Sequence, residues 1–115
     1  MAVPRFLQSC LWSYDISKMD KDEDYRTIIG QGLNWGDRDQ IRWIQDNYSP
    51  ELIKEVLMHP SRGMWYREKL RRWLKEFEIM IDPLEFEAGV IDLIHYRRIK
   101  LMELWFKRQE NKNLG

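Results

Sequence analysis

The sequence predicts an all-α fold: a compact bundle of four or five short helices over residues 1–80, then one long C-terminal helix within 81–115. Three observations lead there. Apolar residues recur every three or four positions through most of the chain. Residues suited to helix starts (Asp37, Ser49 and Asp82) stand directly before those periodic runs. No stretch alternates apolar and polar residues as a half-buried strand does.

Phe6 to Tyr14 is rich in aromatic residues and reads as a short helix or extended arm that lays Phe6, Leu7, Leu11 and Trp12 on the core. Asp15 to Asp20 reads as a connection. Asp22, Glu23 and Asp24 sit where acidic groups favour a helix start. The helix that follows carries Tyr25, Ile28, Ile29 and Leu33; Gly30 and Gly32 weaken it and Gly36 ends it. Asp37 to Gln40 spells a capping box leading into Ile41, Trp43, Ile44 and Tyr48. Ser49 then fits a cap and Pro50 a first turn, with Tyr48 placed to staple onto Ile53. That helix buries Leu52, Ile53, Val56 and Leu57 and stops at His59, because a residue before proline avoids helical angles. Ser61 is the expected cap of the next helix, whose Tyr66, Leu70, Trp73, Leu74 and Phe77 form one apolar stripe.

The last element opens at Ile81, with Asp82 as cap, Pro83 at the first helical position, Glu85 completing a capping box and Ile81 stapled on Phe86. No proline follows. A helix unbroken to Asn111 would be about 44 Å long at about 1.5 Å per residue. A domain of this length has a radius of gyration of only about 13 Å. The helix must therefore project, kink near Gly89 or pair with a second chain. It has apolar residues on two sides: Val90, Leu93, Leu101 and Leu104 form one set, and Ile91, Ile94, Met102 and Trp105 another. The expectation is that one side is shared with another chain through Leu101, Leu104 and Trp105, either a partner or a second copy.

At 115 residues the chain is sized for one domain, and at 43% hydrophobic with six Trp it is not a mainly disordered one. Cys10 is the lone cysteine, so neither an internal disulfide nor a thiol zinc site is expected. The first residues lack a signal-peptide layout and no run reaches the roughly 18 apolar residues of a membrane span; the cytoplasm, with no membrane partner, is the expectation. Net charge is zero but blocked: −3 over residues 1–61, +5 over 62–75, −6 over 76–92 and +4 over 93–115. Such a chain either pairs its blocks internally or presents opposite faces to partners.

No catalytic constellation is present, and no enzyme, cofactor or metal is expected. Cys10 lies in an apolar run, and His59 and His95 are isolated from each other and from any nucleophile. The acidic run Asp20 to Asp24 departs from a calcium loop, with Tyr25 and Gln31 where the loop needs glycine and glutamate. Residues 37–47 and 50–59 have the lengths of a helix-turn-helix, but Glu51, Lys54 and Glu55 leave the second helix net negative where phosphate would meet it. The stronger candidate for contact with nucleic acid or an acidic partner is the next helix, with Arg62, Arg67, Lys69, Arg71, Arg72 and Lys75 around its stripe and Trp65 and Tyr66 near its start. Arg67, Arg71 and Lys75 share a face and repel one another unless an anion or acidic surface lies against them. That surface is the chain's own residues 76–92, a partner protein or phosphate.

Leu11 to Ile16, Ile28-Ile29, Leu33 to Asp37, Trp43, Tyr48 and Ile53 to Leu57 together resemble a domain family of unknown function made up of small bacterial proteins. The resemblance covers about residues 5–77, and its signatures are structural. Members are similar to proteins encoded beside nucleotidyltransferase-type toxins. The resemblance therefore implies an antitoxin-like protein that covers its toxin's active cleft or substrate site by direct contact. The competing expectation is a DNA- or RNA-binding transcriptional regulator using the basic helix over 62–75. A self-associating module through the C-terminal helix is the third.

Overall fold

One helix, buried on every side, organises the chain in the computed structural model, which describes residues 1–91 and 103–110. The helices are α1 (Tyr25–Trp35), α2 (Arg38–Asn47), α3 (Pro50–Met58), α4 (Arg67–Glu76) and α5 (Pro83–Gly89), preceded by single 3-10 turns at Arg5–Leu7 and Ile16–Lys18. Residues 103–110 are also helical, and the described residues form no strand beyond isolated bridges. The all-α class holds.

Helix α1 touches α2, α3 and α4, and α3 also touches α4. It occupies the centre because its middle is mostly apolar or glycine: every residue from Ile28 to Asn34 is buried, the polar Gln31 and Asn34 included. Its two interior glycines are close-approach positions rather than weak points. A Cβ on Gly32 would stand 2.8 Å from Ile44 Cγ1 and 2.9 Å from Cδ1, so α2 lies against bare backbone there. On Gly30 it would fall 2.5 Å from Met64 Cε. The cost of glycine in a helix, about 1 kcal/mol each, is offset by the burial this contact permits.

The expected starts of α2 and α3 are present. Asp37 Oδ1 accepts from the Gln40 N–H while Gln40 Oε1 accepts from the Asp37 N–H, both at 2.9 Å. Ser49 Oγ accepts from Leu52 N–H at 3.2 Å, with Pro50 opening the helix. Ahead of α1 the acidic run works one turn earlier than the charge pattern suggests: Asp20 Oδ2 accepts from the N–H groups of Asp22 and Glu23, each at 2.9 Å. The core gathers Leu7, Leu11, Ile29, Leu33, Ile44, Leu57, Trp65 and Leu70 with their neighbours.

The long C-terminal helix is corrected. Helix α5 ends at Gly89, and Val90 is extended (φ −83°, ψ 142°) and buried. It forms a parallel bridge with Trp65: Trp65 N–H donates to Gly89 O and Ile91 N–H to Trp65 O, both at 2.8 Å. Continuing the helix would leave both backbone groups of a fully buried Trp65 without these partners, a cost that outweighs the helix bonds gained. Gly89 permits the exit, since a Cβ there would stand 2.9 Å from Pro60 Cβ. These contacts tie residues 83–91 to the body across the boundary expected at residue 80. The unbroken apolar sets expected along 90–105 fall largely outside the described residues, as does Leu101.

Two further expectations change. Helix α4 begins at Arg67, not after Ser61, because Met64, Trp65 and Tyr66 form a short extended segment gripped from both edges. Gly89 and Ile91 hold Trp65 from one edge. From the other, the buried Asn34 donates from Nδ2 to Met64 O at 3.0 Å and accepts the Tyr66 N–H on Oδ1 at 2.9 Å. In the N-terminal arm, Leu7 and Leu11 reach the core, but Phe6 and Trp12 remain exposed.

Replacing Asn34→Ala orphans Met64 O and Tyr66 N–H together and should lower stability by about 2–4 kcal/mol, read from a denaturant melt; a loss below about 0.5 kcal/mol contradicts the clamp. Gly32→Ala should cost a net of about 1–2 kcal/mol despite alanine's better helix propensity. Its cost should shrink in an Ile44→Val background, which removes Cδ1, and a double-mutant cycle measures that coupling.

Candidate interaction surfaces

Cys10 and His59, the described residues singled out for chemistry, are held in other roles. Cys10 is buried, its thiol donates to Leu7 O at 3.1 Å, and burial pushes its pKa up, which suppresses the thiolate. His59 is exposed at the end of α3, and its contribution to the structure is a carbonyl that accepts from Arg26 at 2.9 Å. His95 lies outside the described residues. Among the described residues no group of three or more His, Cys, Asp or Glu side chains could hold a metal ion.

What the fold does assemble is an exposed aromatic cluster. Trp12 from the N-terminal arm, Trp35 from the last position of α1 and Tyr66 from the start of α4 meet edge to face. Ring centroids lie 6.0 Å apart for Trp12 and Trp35 and 4.8 Å for Trp35 and Tyr66, at interplanar angles of 84° and 61°. Their exposures are 62%, 39% and 38%, so the cluster faces solvent rather than the core. Buried amides set two of the three rings. Gln40 Nε2 donates to Phe6 O and Ser9 Oγ, both at 2.7 Å, which pins the arm carrying Trp12. Asn34, next in chain to Trp35, holds the backbone of Tyr66. Trp65, which with Tyr66 was placed near the start of the basic helix, is fully buried.

The basic residues divide. Arg67 is engaged within the chain: its guanidinium donates to both carboxylate oxygens of Glu87 at 2.6 and 2.5 Å and lies 5.6 Å from the Phe86 ring centroid. Arg71 sits over the same ring at 5.8 Å, and Arg72 over Trp73 at 5.9 Å. Lys69 borders a shallow hollow with Tyr66, Arg67 and Glu68, so the cationic face meets the aromatic cluster at Tyr66. Arg71, Arg72 and Lys75 face solvent with Glu68 and Glu76. Arg62 precedes the helix and is exposed. Of the six, only Arg67 has a carboxylate ion-pair partner among the described residues.

Between α4 and α5 runs a groove with Leu74, Ile79, Ile81 and Phe86 as its apolar floor and Arg67, Arg71 and Lys75 along its edge. On the C-terminal helix over 103–110, Leu104 is half-buried, while Trp105 and Phe106 are exposed and meet edge to face at 5.2 Å. Arg108 of that helix pairs with Asp82. No helix among the described residues is long and apolar enough to cross a membrane.

The aromatic cluster was open to sequence reasoning in part. Six Trp are more than one small core needs, and Trp35 stands at the end of its helical run, beside the Gly36 stop. What the spacing could not give is the meeting of three rings from segments 23 and 31 residues apart.

Residues 6–57, a little under half the chain, match a family of unknown function (DUF6922). The match takes in the arm and α1 to α3, including Trp12 and Trp35, and stops before α4. No curated protein and no solved structure matches the chain.

Because Cys10 is buried and hydrogen-bonded, the folded protein should resist a thiol reagent such as dithionitrobenzoate and react stoichiometrically once unfolded in guanidinium. Rapid labelling of the native protein would place the thiol at the surface and reopen it as a reactive group.

Proposed function

We propose that the protein is a non-catalytic protein-binding module, and that its partner is a nucleotidyltransferase-type toxin that it neutralises by direct contact. The observation that carries the binding reading is the exposed Trp12–Trp35–Tyr66 cluster. Large apolar rings held rigidly at the surface lose little entropy on docking and are the residue types that dominate interface energetics. The arm, α1 and α4 each contribute one ring, so the cluster exists only in the folded chain. Lys69, which borders the hollow at Tyr66, adds a cation at the cluster's edge that would steer an acidic partner. The identity of the partner rests on the resemblance of residues 5–77 to a bacterial family whose members are encoded beside such toxins. The toxin would be silenced by occlusion, since nothing in the binding surface supplies a reacting group. A bacterial, cytoplasmic setting belongs to the same proposal.

A second reading keeps the cations for nucleic acid. Arg71, Arg72 and Lys75 face solvent without a carboxylate ion-pair partner among the described residues, as a phosphate-binding face would. Glu68 and Glu76 in the same patch oppose it, and the rings of the cluster are tilted rather than stacked in parallel, so successive bases find no continuous platform. Homodimerisation through Leu104 and Trp105 is a third proposal, favoured by the exposed Trp105–Phe106 pair.

A tagged chain expressed with its genomic neighbours and eluted at low and then high salt should retain a nucleotidyltransferase-like protein through the salt step. Trp12→Ala with Trp35→Ala should weaken that complex by about tenfold or more without lowering helix content. Nucleic acid recovered alone and lost at high salt would move the function to α4. If Leu104→Glu and Trp105→Ala leave both oligomeric state and partner binding unchanged, the C-terminal helix is not an interface.

A further inference from the structure

We infer that the groove between α4 and α5 is a second docking site, separate from the aromatic cluster, and that its occupant is an acidic amphipathic protein segment. Three features specify that chemistry. The floor is aliphatic and aromatic: Leu74, Ile79, Ile81 and Phe86. Along one wall Arg71 and Lys75 rise one helical turn apart, both exposed and neither with a carboxylate ion-pair partner among the described residues. The third cation of that wall, Arg67, is held by both oxygens of Glu87, whose side chain is only 11% exposed. The groove thus keeps two positive charges to offer after its own carboxylate is used.

Residues one turn apart on a helix lie about 5–6 Å apart at Cβ. A docked helix with carboxylates at the same spacing meets Arg71 and Lys75 together while its apolar side chains fill the floor, the helix-in-groove mode of recognition. Arg71 is already poised over the Phe86 ring at 5.8 Å, which presents its guanidinium along the groove edge. A polyanion such as nucleic acid fits less well. It would leave Leu74, Ile79 and Ile81 uncovered. Residues 62–75 and 76–92 are opposite in charge, yet among the described residues the ion pair between them is Arg67 with Glu87, and Arg71 and Lys75 have none. An external acidic segment completes the remainder.

The test uses the full chain and a labelled synthetic peptide with leucines on one helical face flanked by glutamates one turn apart. Its controls are the same peptide with glutamine in place of glutamate, and an oligo-dT of matching label. The expected result is binding of the acidic peptide about tenfold tighter than the glutamine peptide. Methyl shifts should be confined to Ile79 and Ile81, with the Trp12 and Trp35 indole signals unmoved. Arg71→Glu with Lys75→Glu, both exposed positions, should abolish the preference, and Arg71→Lys with Lys75→Arg should keep it. Equal affinity for the two peptides, absence of binding, shifts mapping to Trp12 and Trp35, or tighter binding of oligo-dT each overturns the inference. None of these results depends on Trp12 or Trp35 being an interface, so the aromatic-cluster proposal stands or falls by its own variants.

Discussion

The short extended segment Met64-Trp65-Tyr66 is the constraint on which the rest of the structure depends. An extended chain turns its backbone polar groups alternately to opposite edges, and both edges are occupied. The side-chain amide of Asn34 takes Met64 O and Tyr66 N–H, standing in for one residue of a neighbouring strand. Gly89 and Ile91 take the two backbone groups of Trp65. The largest fully buried side chain among the described residues, Trp65, can then sit at the centre without leaving its own peptide groups unpaired. Helices α4 and α5 take their positions from this grip. Helix α4 cannot begin before Arg67, Tyr66 must point to the surface beside Trp35, and α5 is drawn close enough for Glu87 to reach Arg67.

The central position of α1 poses the complementary problem, which is to bury a helix on all sides without separating its neighbours. Gly30 and Gly32 solve it sterically, bringing Met64 and Ile44 onto the backbone. Polar side chains then tie the surrounding elements to it. Trp73 Nε1 donates to Leu33 O at 3.0 Å, and Arg26 bridges to Glu55 at 2.5 Å and to the His59 carbonyl, fastening α1 to α4 and α3. Gln40 completes its own helix cap and holds the N-terminal arm with the same amide group. Asn34 and Gln40 are among the few buried polar residues of those described, and each joins segments at least 30 positions apart in sequence. Hydrogen bonds of this kind specify one arrangement of the core, because a shifted packing would leave the amides unpaired.

What could be read from the sequence follows the range of the interaction concerned. The capping box at Asp37 and Gln40, the Ser49-Pro50 start, the stop at His59 and the Leu70, Trp73 and Leu74 stripe are all decided within a few residues, and each was legible. The end of α5 was not. Local signals from Asp82 onward favour a continuing helix, and only the pairing of Val90 with Trp65, 25 residues earlier, overrides them. The same holds for Ser61, a sound cap by its type, which is displaced because Met64 to Tyr66 are taken by tertiary contacts. Phe6 and Trp12 were assigned to the core on hydrophobicity alone. The arm has room inside for Leu7, Cys10 and Leu11 but not for the two larger rings. The site was half legible on the same grounds: the cations of α4 stand in one stretch of sequence, whereas the aromatic cluster is put together by the fold.

Block charges illustrate why composition along a chain is a poor guide to who pairs with whom. The basic stretch over 62–75 and the acidic one over 76–92 are adjacent in sequence, yet among the described residues Arg67 and Glu87 form the ion pair between them. The reason is geometric. Arg67 lies on the flank of α4 facing α5, where Glu87 is half-buried beside Phe86, so the two charges are desolvated together and held by two hydrogen bonds. Arg71 reaches Phe86 but no carboxylate, while Arg72 and Lys75 are exposed, Lys75 on the edge of the groove, and surface pairing there would offer at most about 1 kcal/mol against the entropy of fixing two long side chains. The uncompensated charge is therefore a consequence of how α5 packs: it runs antiparallel to α4, so Glu87 near its end meets Arg67 at the start of α4, while Phe86 rather than a carboxylate meets Arg71. The apolar groove and its cationic edge lie beside the start of α5, at the end remote from the Trp65 bridge.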